Sequence, residues 1–318
     1  MAMRYRKLGK WGIKVSEISL GAWTTYGDAV KDLKTIKQIV KLAYDAGVNF
    51  FDNADVYAKG QGEEMMGKAL ADFPRHTLVL STKLFWPMSD DVNDRGLSRK
   101  HIHESIHRSL KRMGTDYVDL YFCHRYDPET PMEEIVSSMS SLVDRGLILY
   151  WGTSEWPAAR IVEAVQVAKA GGWHPPVVEQ PQYSMLARER FEKEILPELE
   201  RYGIGAVVWS PLAQGMLSGR YDKGIPKGSR FERYPQFANR FLNEENRKKV
   251  KALKKVADSL GLSRAQLALA WVLRHKGVSS AITGTTKPEQ IQESLGAAGV
   301  ELPPEALQQI ESILEPTK

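Results

Sequence analysis

An α/β barrel of eight parallel strands is the fold class that this 318-residue sequence predicts, and three observations predict it. Short apolar runs alternate with amphipathic helical stretches along nearly the whole chain, which is the rhythm of repeated strand–helix units. Eight such runs follow an opening hairpin, the number a closed parallel barrel needs. Polar side chains end three of them in succession: Asp52 in NFFDNADVY, Lys83 in TLVLSTK and His124 in YVDLYFCHR, with Tyr57 shortly after Asp52. A typical barrel takes roughly 250 residues, so one barrel domain over residues 1–318 with a few long loops is expected.

The elements follow in order. Arg4–Leu8 and Ile13–Val15 flank Gly9 and Gly12 and read as a hairpin able to plug the far end of the barrel. Strand Ile18–Leu20 precedes helix Thr35–Asp45, Asn49–Asp52 precedes Glu63–Leu70, and Leu78–Lys83 precedes Ser98–Met113. Tyr117–His124, Leu149–Gly152 and Val177–Gln180 are the next strands, each followed by a helix: Met132–Arg145, Ala158–Ala170 and Glu189–Tyr202. Gly205–Trp209 leads into two helices, Glu244–Leu260 and Ser263–Arg274, and Ser280–Thr283 is the eighth strand. Helices Pro288–Leu295 and Pro304–Leu314 end the pattern. Two connections are long, Phe85–Leu97 and Asp222–Asn243, and both follow strands, so both are candidate lids over the strand ends. The second carries Phe231, Tyr234, Phe237 and Phe241, which is poor material for disorder.

Composition excludes several classes. At 42% hydrophobic and 26% charged the chain has the balance of a globular protein with a substantial core. The net charge of +5 and pI near 9.0 come from basic residues spread along the chain among 39 acidic ones. The densest basic run, Arg247–Lys255, reads as the solvated face of a helix rather than a nucleic-acid site. A mild positive excess also suits a phosphate-bearing cofactor. No run of about 18 apolar residues and no signal-peptide core are present, so a cytoplasmic location without membrane contact is expected. Cys123 is the one cysteine, which excludes an intramolecular disulfide; strand alternation puts it on the face opposite His124, toward the outer helices.

The chemistry is expected at the strand ends. Asp52 and Lys83 on neighbouring strands would pair, and the ammonium would favour the phenolate of Tyr57, lowering a pKa that is ordinarily near ~10. Tyr57 is then the proton donor, and a neutral His124 orients a carbonyl. Singly, these residues read as a structural ion pair, a helix-entry aromatic and a satisfied core histidine; together at three successive strand ends they read as a site. Trp23, Tyr26, Phe85, Trp86 and Trp156 follow strands and are candidate walls of a substrate pocket, Trp23 and Trp86 foremost. His103-Glu104-Ser105-Ile106-His107 matches a zinc-helix pattern, but Ile102, Ile106, Leu110 and Met113 make the buried stripe of that helix, leaving both histidines on its flank without a third ligand; no metal is expected.

The chain resembles the aldo-keto reductase superfamily, and within it the branch of bacterial reductases related to voltage-gated potassium-channel beta subunits. The resemblance runs from Arg4 to Leu314 through SLGAWTTYG, FFDNADVYAKGQGEEMMGKAL, VLSTKLFW, GLSRKHI, YVDLYFCHR, TPMEE, YWGTSEW, WSPLAQGMLSGRYDKGIP and LALAWVLR, in order. It implies a tetrad of Asp52, Tyr57, Lys83 and His124, with Tyr57 as proton donor in the NADPH-dependent reduction of an aldehyde or ketone; Trp23, Tyr57, Trp86 and His124 would meet the substrate. Channel beta subunits carry asparagine where His124 stands, and that histidine, with the short stretch before Arg4, points to the enzyme rather than a redox-sensing regulatory subunit.

No G-x-G-x-x-G follows a strand, so a Rossmann mode of dinucleotide binding finds no support. The resemblance implies binding at the barrel mouth instead. Ser154 and Gln180 would hold the nicotinamide carboxamide beside Asp52 and Trp23, and Trp209 would stack on the ring. Ser210, Pro211, Leu212, Gln214 and Gly215 would line the pyrophosphate, Arg220 and Arg230 would reach phosphate oxygens, and Gly284, Thr286, Gln290, Glu293 and Ser294 would embrace the adenosine half. Many relatives have arginine at the position of Gln290 and asparagine at that of Ser294; Arg220, Arg230 and Lys287 keep NADPH ahead of NADH. Relatives include monomers and tetramers, so a homo-oligomer stays open.

Overall fold

The computed structural model describes residues 3–315. Strands β1 (Tyr5–Lys7) and β2 (Lys14–Ser16) pair antiparallel as a hairpin. Strands β3 (Ile18–Gly21), β4 (Phe50–Asp52), β5 (Val79–Leu84), β6 (Val118–Cys123), β7 (Ile148–Ser154), β8 (Val178–Gln180), β9 (Gly205–Trp209) and β10 (Val278–Thr283) form a closed parallel barrel, β10 pairing back onto β3. This is the (β/α)8 architecture read from the sequence.

Helices α1 (Leu33–Asp45), α2 (Gln61–Leu70), α3 (Arg99–Met113), α4 (Met132–Asp144) and α5 (Ala158–Gly171) follow β3 to β7 in turn. Helix α6 (Leu196–Tyr202) follows β8 and is entered through a π-helical turn at Phe191–Ile195. After β9 come α7 (Arg230–Arg233), α8 (Pro235–Phe241), α9 (Glu244–Ser259) and α10 (Arg264–Leu273), and after β10 come α11 (Pro288–Leu295) and α12 (Pro304–Leu314). The expected long loop 222–243 is thus partly helical. Phe231 and Phe241 are buried in the core, so their aromatic rings anchor α7 and α8 against the barrel.

Local chemistry sets the ends of these elements. Asp32 caps α1 by accepting from the Lys34 and Thr35 amides, and Ile36, Ile39, Val40 and Ala43 give that helix one buried face. Ser98 caps α3, and Gly114 ends it in the left-handed conformation at φ 66°. Ser263 and Gln266 make a reciprocal capping box at the start of α10.

Strand alternation divides the apolar side chains into two packed layers. Phe50, Val79, Leu120, Phe122, Val178, Val207 and Ile282 fill the barrel, joined by Leu8 and Val15 from the hairpin. The larger layer, Cys123 included, lies between strands and helices. The hairpin covers the end where the strands begin: the Lys10 amide donates to the Gly203 carbonyl at 3.0 Å, and Arg6 Nη1 donates to the Val278 carbonyl at 2.8 Å. Gly9 permits this approach, because a Cβ there would lie 2.2 Å from the Gly203 oxygen. With one end plugged, the opposite end is left for a site. No helix among the described residues is long and apolar enough to cross a membrane.

Candidate active site

The strand ends bring Asp52, Tyr57, Lys83 and His124 together. Register places Asp52 of β4 beside Ser81 of β5, so Lys83 projects from the same strand face two residues further on. Its Nζ lies 2.8 Å and 2.7 Å from the two Asp52 carboxylate oxygens and also donates to the Asn53 carbonyl at 2.5 Å. Both side chains are buried, and Ser81 Oγ adds a 2.7 Å hydrogen bond to Asp52. Breaking such a pair by truncating one partner ordinarily costs about 3–5 kcal/mol.

Tyr57 opens a tight turn, Tyr57–Gly60, in which Ala58 and Lys59 are left-handed at φ 48° and 54°. The turn holds the phenol 3.3 Å from Lys83 Nζ, and its ring meets the His124 imidazole edge-on at 5.9 Å. Burial, reinforced by the Asp52 charge, pushes the phenol well above its ordinary pKa. This corrects the expectation of a lowered value: an ammonium already neutralised by Asp52 has little field left to stabilise a phenolate, and desolvation wins. Burial also lowers the Lys83 ammonium, against the pull of Asp52. His124 is held well below its ordinary value by burial and by the Lys83 and Arg125 charges, so the imidazole is neutral near pH 7.

A cavity of about 400 Å³ opens above these residues, within the usual range for small-ligand sites. Asp52, Tyr57, Trp86 and His124 line its inner end, while Lys83 lies beneath the lining. Ser154 and Gln180, at the ends of β7 and β8, come next; Ser154 Oγ donates to the Gln180 carbonyl at 2.9 Å, and Gln180 Nε2 donates to Asp52 at 3.0 Å. Trp209, the last residue of β9, lines the cavity as well, with Trp23 against it edge-on at 5.4 Å. The lining continues along Ser210, Pro211, Leu212, Gln214 and Gly215 to Arg220 and Arg230, and ends at Gly284, Thr286, Gln290, Glu293 and Ser294.

Within that outer half, Arg230 is mostly buried and donates to Gln214 Oε1 at 2.8 Å; burial lowers its pKa to about 10, which leaves it charged. Gln290 Oε1 accepts from the Thr286 amide at 2.8 Å, closing the turn into α11. Gln214 Nε2 is buried without a hydrogen-bond partner among the described residues, which fits a site built to meet polar ligand atoms. Non-glycine residues with left-handed φ follow the strand ends: Thr24, Ala58, Lys59, Glu155, Ser210, Ala213 and Gln214. Such conformations carry strain and concentrate where backbone must meet a ligand.

Several expectations do not hold. Tyr26 and Trp156 are fully buried in the outer core, and Phe85 packs against that core, so of the five aromatic candidates only Trp23 and Trp86 line the cavity. Lys287 does not line it either. The reading of α3 does hold: Ile102, Ile106, Leu110 and Met113 are buried, and His103 and His107 lie exposed on its flank, where Arg145 contacts His103 at 2.9 Å.

Two lining or supporting residues went unread. Arg125 follows His124 and lines the inner end of the cavity. Glu155 follows Ser154 and fixes Trp209: its Oε1 accepts from the indole Nε1 at 3.0 Å and from the Gln182 amide at 2.5 Å, while Oε2 takes Arg190 at 2.6 Å. The strand-end rule that pointed to His124 points equally to both.

A closed (β/α)8 barrel plugged at one end, with polar side chains converging at the strand C-termini, defines the TIM-barrel class of proteins. Within that class the chain belongs to the aldo/keto reductase family, whose model matches residues 17–315. Membership places it among oxidoreductases. It is 49% identical over 320 residues to a probable voltage-gated potassium channel subunit beta of Arabidopsis thaliana, covering 98% of this chain and 97% of that one. A protein of the same name from Oryza sativa subsp. japonica is 48% identical with the same coverage. A putative voltage-gated potassium channel subunit beta of Schizosaccharomyces pombe is 43% identical over 98% of this chain and 93% of its own.

Proposed function

We propose that the protein reduces an aldehyde or ketone to the alcohol with NADPH, Tyr57 supplying the proton. The observation that carries this reading is a buried, protonated phenol 3.3 Å from an ammonium and beside a neutral imidazole, at the inner end of a deep cavity. Ser154 and Gln180 would hold the carboxamide of a nicotinamide, Trp209 its ring, Gln214, Arg220 and Arg230 the phosphates, and Gly284 to Ser294 the adenosine half. When bound, that dinucleotide would supply the hydride that the carbonyl carbon takes up, with NADP+ as the oxidised product.

The chain's own residues manage the proton. His124 donates a hydrogen bond to the carbonyl oxygen and aims it at Tyr57. As the C=O π bond opens, the Tyr57 O–H bond breaks and its proton passes to that oxygen, giving the alcohol. The tyrosinate left behind lies against the Lys83 ammonium and recovers its proton from water. Gln180, bonded to Asp52, ties the seat of the nicotinamide to the residue that holds Lys83.

Tyr57→Phe removes the donor and leaves the cavity's outer half intact. Its kcat with a reactive aromatic aldehyde should fall at least about 100-fold, with NADPH affinity by tryptophan quenching within about threefold of wild type. Undiminished turnover would refute the assignment. The names of the relatives favour a second reading, a redox-sensing NADP(H)-binding subunit of a channel. Tight NADPH binding without reduction of any aldehyde in a broad panel would select it.

A further inference from the structure

Arg125 sits among the inner residues of the cavity, and no carboxylate among the described residues lies within ion-pair distance of it; Glu155 is the strongest negative charge acting on it from further off. Its guanidinium lies 5.5 Å over the Trp86 ring, and Trp86 in turn meets His124 at 6.4 Å. Nη1 donates to the His124 carbonyl at 2.5 Å, and the other N–H groups have no acceptor among the described residues. A guanidinium has five N–H donors, so four remain. The π system of Trp86 offsets part of the positive charge but gives these donors no oxygen acceptor.

The surrounding charges leave an excess of one cation. Asp52 and Lys83 cancel at 2.7 Å. Glu155 is held by Arg190 at 2.6 Å and further engaged by Trp209 and Gln182. Glu179, the other carboxyl near Arg125, accepts from Thr153 Oγ1 at 2.5 Å and is pushed up to about 8 by burial, so it is largely neutral at pH 7. Tyr57 and His124 are uncharged there. A partly buried cation without a counter-ion is costly, and a bidentate oxyanion is the group that best relieves it.

We propose that Arg125 anchors an anionic group on the substrate, so that the site selects aldehydes and ketones carrying a carboxylate or phosphate beyond an apolar spacer. Trp86 and Trp23 wall the spacer, and Tyr57 and His124 receive the carbonyl. This assignment rests on the reductase reading above and adds the class of substrate to it.

A matched pair of aldehydes tests it: para-carboxybenzaldehyde and its methyl ester, which share a ring and differ in charge. Wild-type kcat/KM should favour the carboxylate at least about tenfold, the worth of one charge-assisted hydrogen bond. In Arg125→Met that ratio should fall to near one, with circular dichroism confirming the fold, and Arg125→Lys should keep part of it through charge alone. No preference in wild type, or a ratio unchanged in Arg125→Met, overturns the proposal. Should wild type reduce neither aldehyde, the reductase reading fails by itself. Titration calorimetry with terephthalate then reads the anion site directly: binding at least about tenfold weaker in Arg125→Met supports it, and equal affinity or no binding to wild type overturns it.

Discussion

Tyr57 keeps its proton because burial and the Asp52 carboxylate both penalise the phenolate. A donor held in its acid form needs no titration to be ready, and His124, held neutral by burial and two cations, needs none either. The pH profile of reduction should therefore be flat across neutrality. For an uncharged substrate such as the methyl ester of para-carboxybenzaldehyde, log kcat/KM is expected to stay level from about pH 6 to about pH 9, without an imidazole limb near 6.5 or a phenol limb below 10. A midpoint near 8 in a steady-state profile would contradict it. The tetrad itself was legible, since each member ends or follows an apolar run. The direction of the Tyr57 shift was not, because it depends on how completely Asp52 neutralises Lys83, a matter of two distances below 3 Å. Arg125 and Glu155 were overlooked although they sit beside His124 and Ser154, and only the cavity and the Trp209 hydrogen bond give them work.

At the scale of elements, the barrel strands carry titratable groups on both faces. Gln180 of β8 faces the cavity, and the neighbouring Glu179 is fully buried, with its carboxyl pushed from 4.5 up to about 8 first by burial and then by the Glu155 charge. Between these values the native state holds a proton that the unfolded chain releases, so stability is greatest below the lower value and falls as pH rises through the upper one. Asp55, raised to about 7 by burial and Glu63, acts in the same sense. Glu179→Gln keeps an acceptor for Thr153 and removes one of these titrations. The wild-type Tm should fall more steeply than the variant's from about pH 6 to about pH 9, as calorimetric scans would show; parallel curves would rule out the account. Strand and helix positions were readable within a few residues because apolar runs and caps mark them. Helix α7, with four residues, is too short to show a period, and the π-helical turn before α6 has no sequence signature, so both emerged only with packing.

Across the whole molecule, closure at one end creates function at the other. The hairpin covers the strand starts through Gly9 and Arg6, so the barrel is solid below and open above. Left-handed turns after β3, β4, β7 and β9 spend part of the stability of that scaffold on shaping its mouth. The apolar barrel interior, the buried ion pair and the cavity form one continuous column, with Asp52 joined to Lys83 on one side and Gln180 on the other. The claim that this mouth reduces carbonyls is tested most directly by following the transferred hydrogen. NADPH fully deuterated on the transferring carbon of the nicotinamide is supplied with para-carboxybenzaldehyde or its methyl ester, and the alcohol is read by mass spectrometry. One deuterium on the carbinol carbon is the predicted result; no alcohol, or an unlabelled one, would contradict the account.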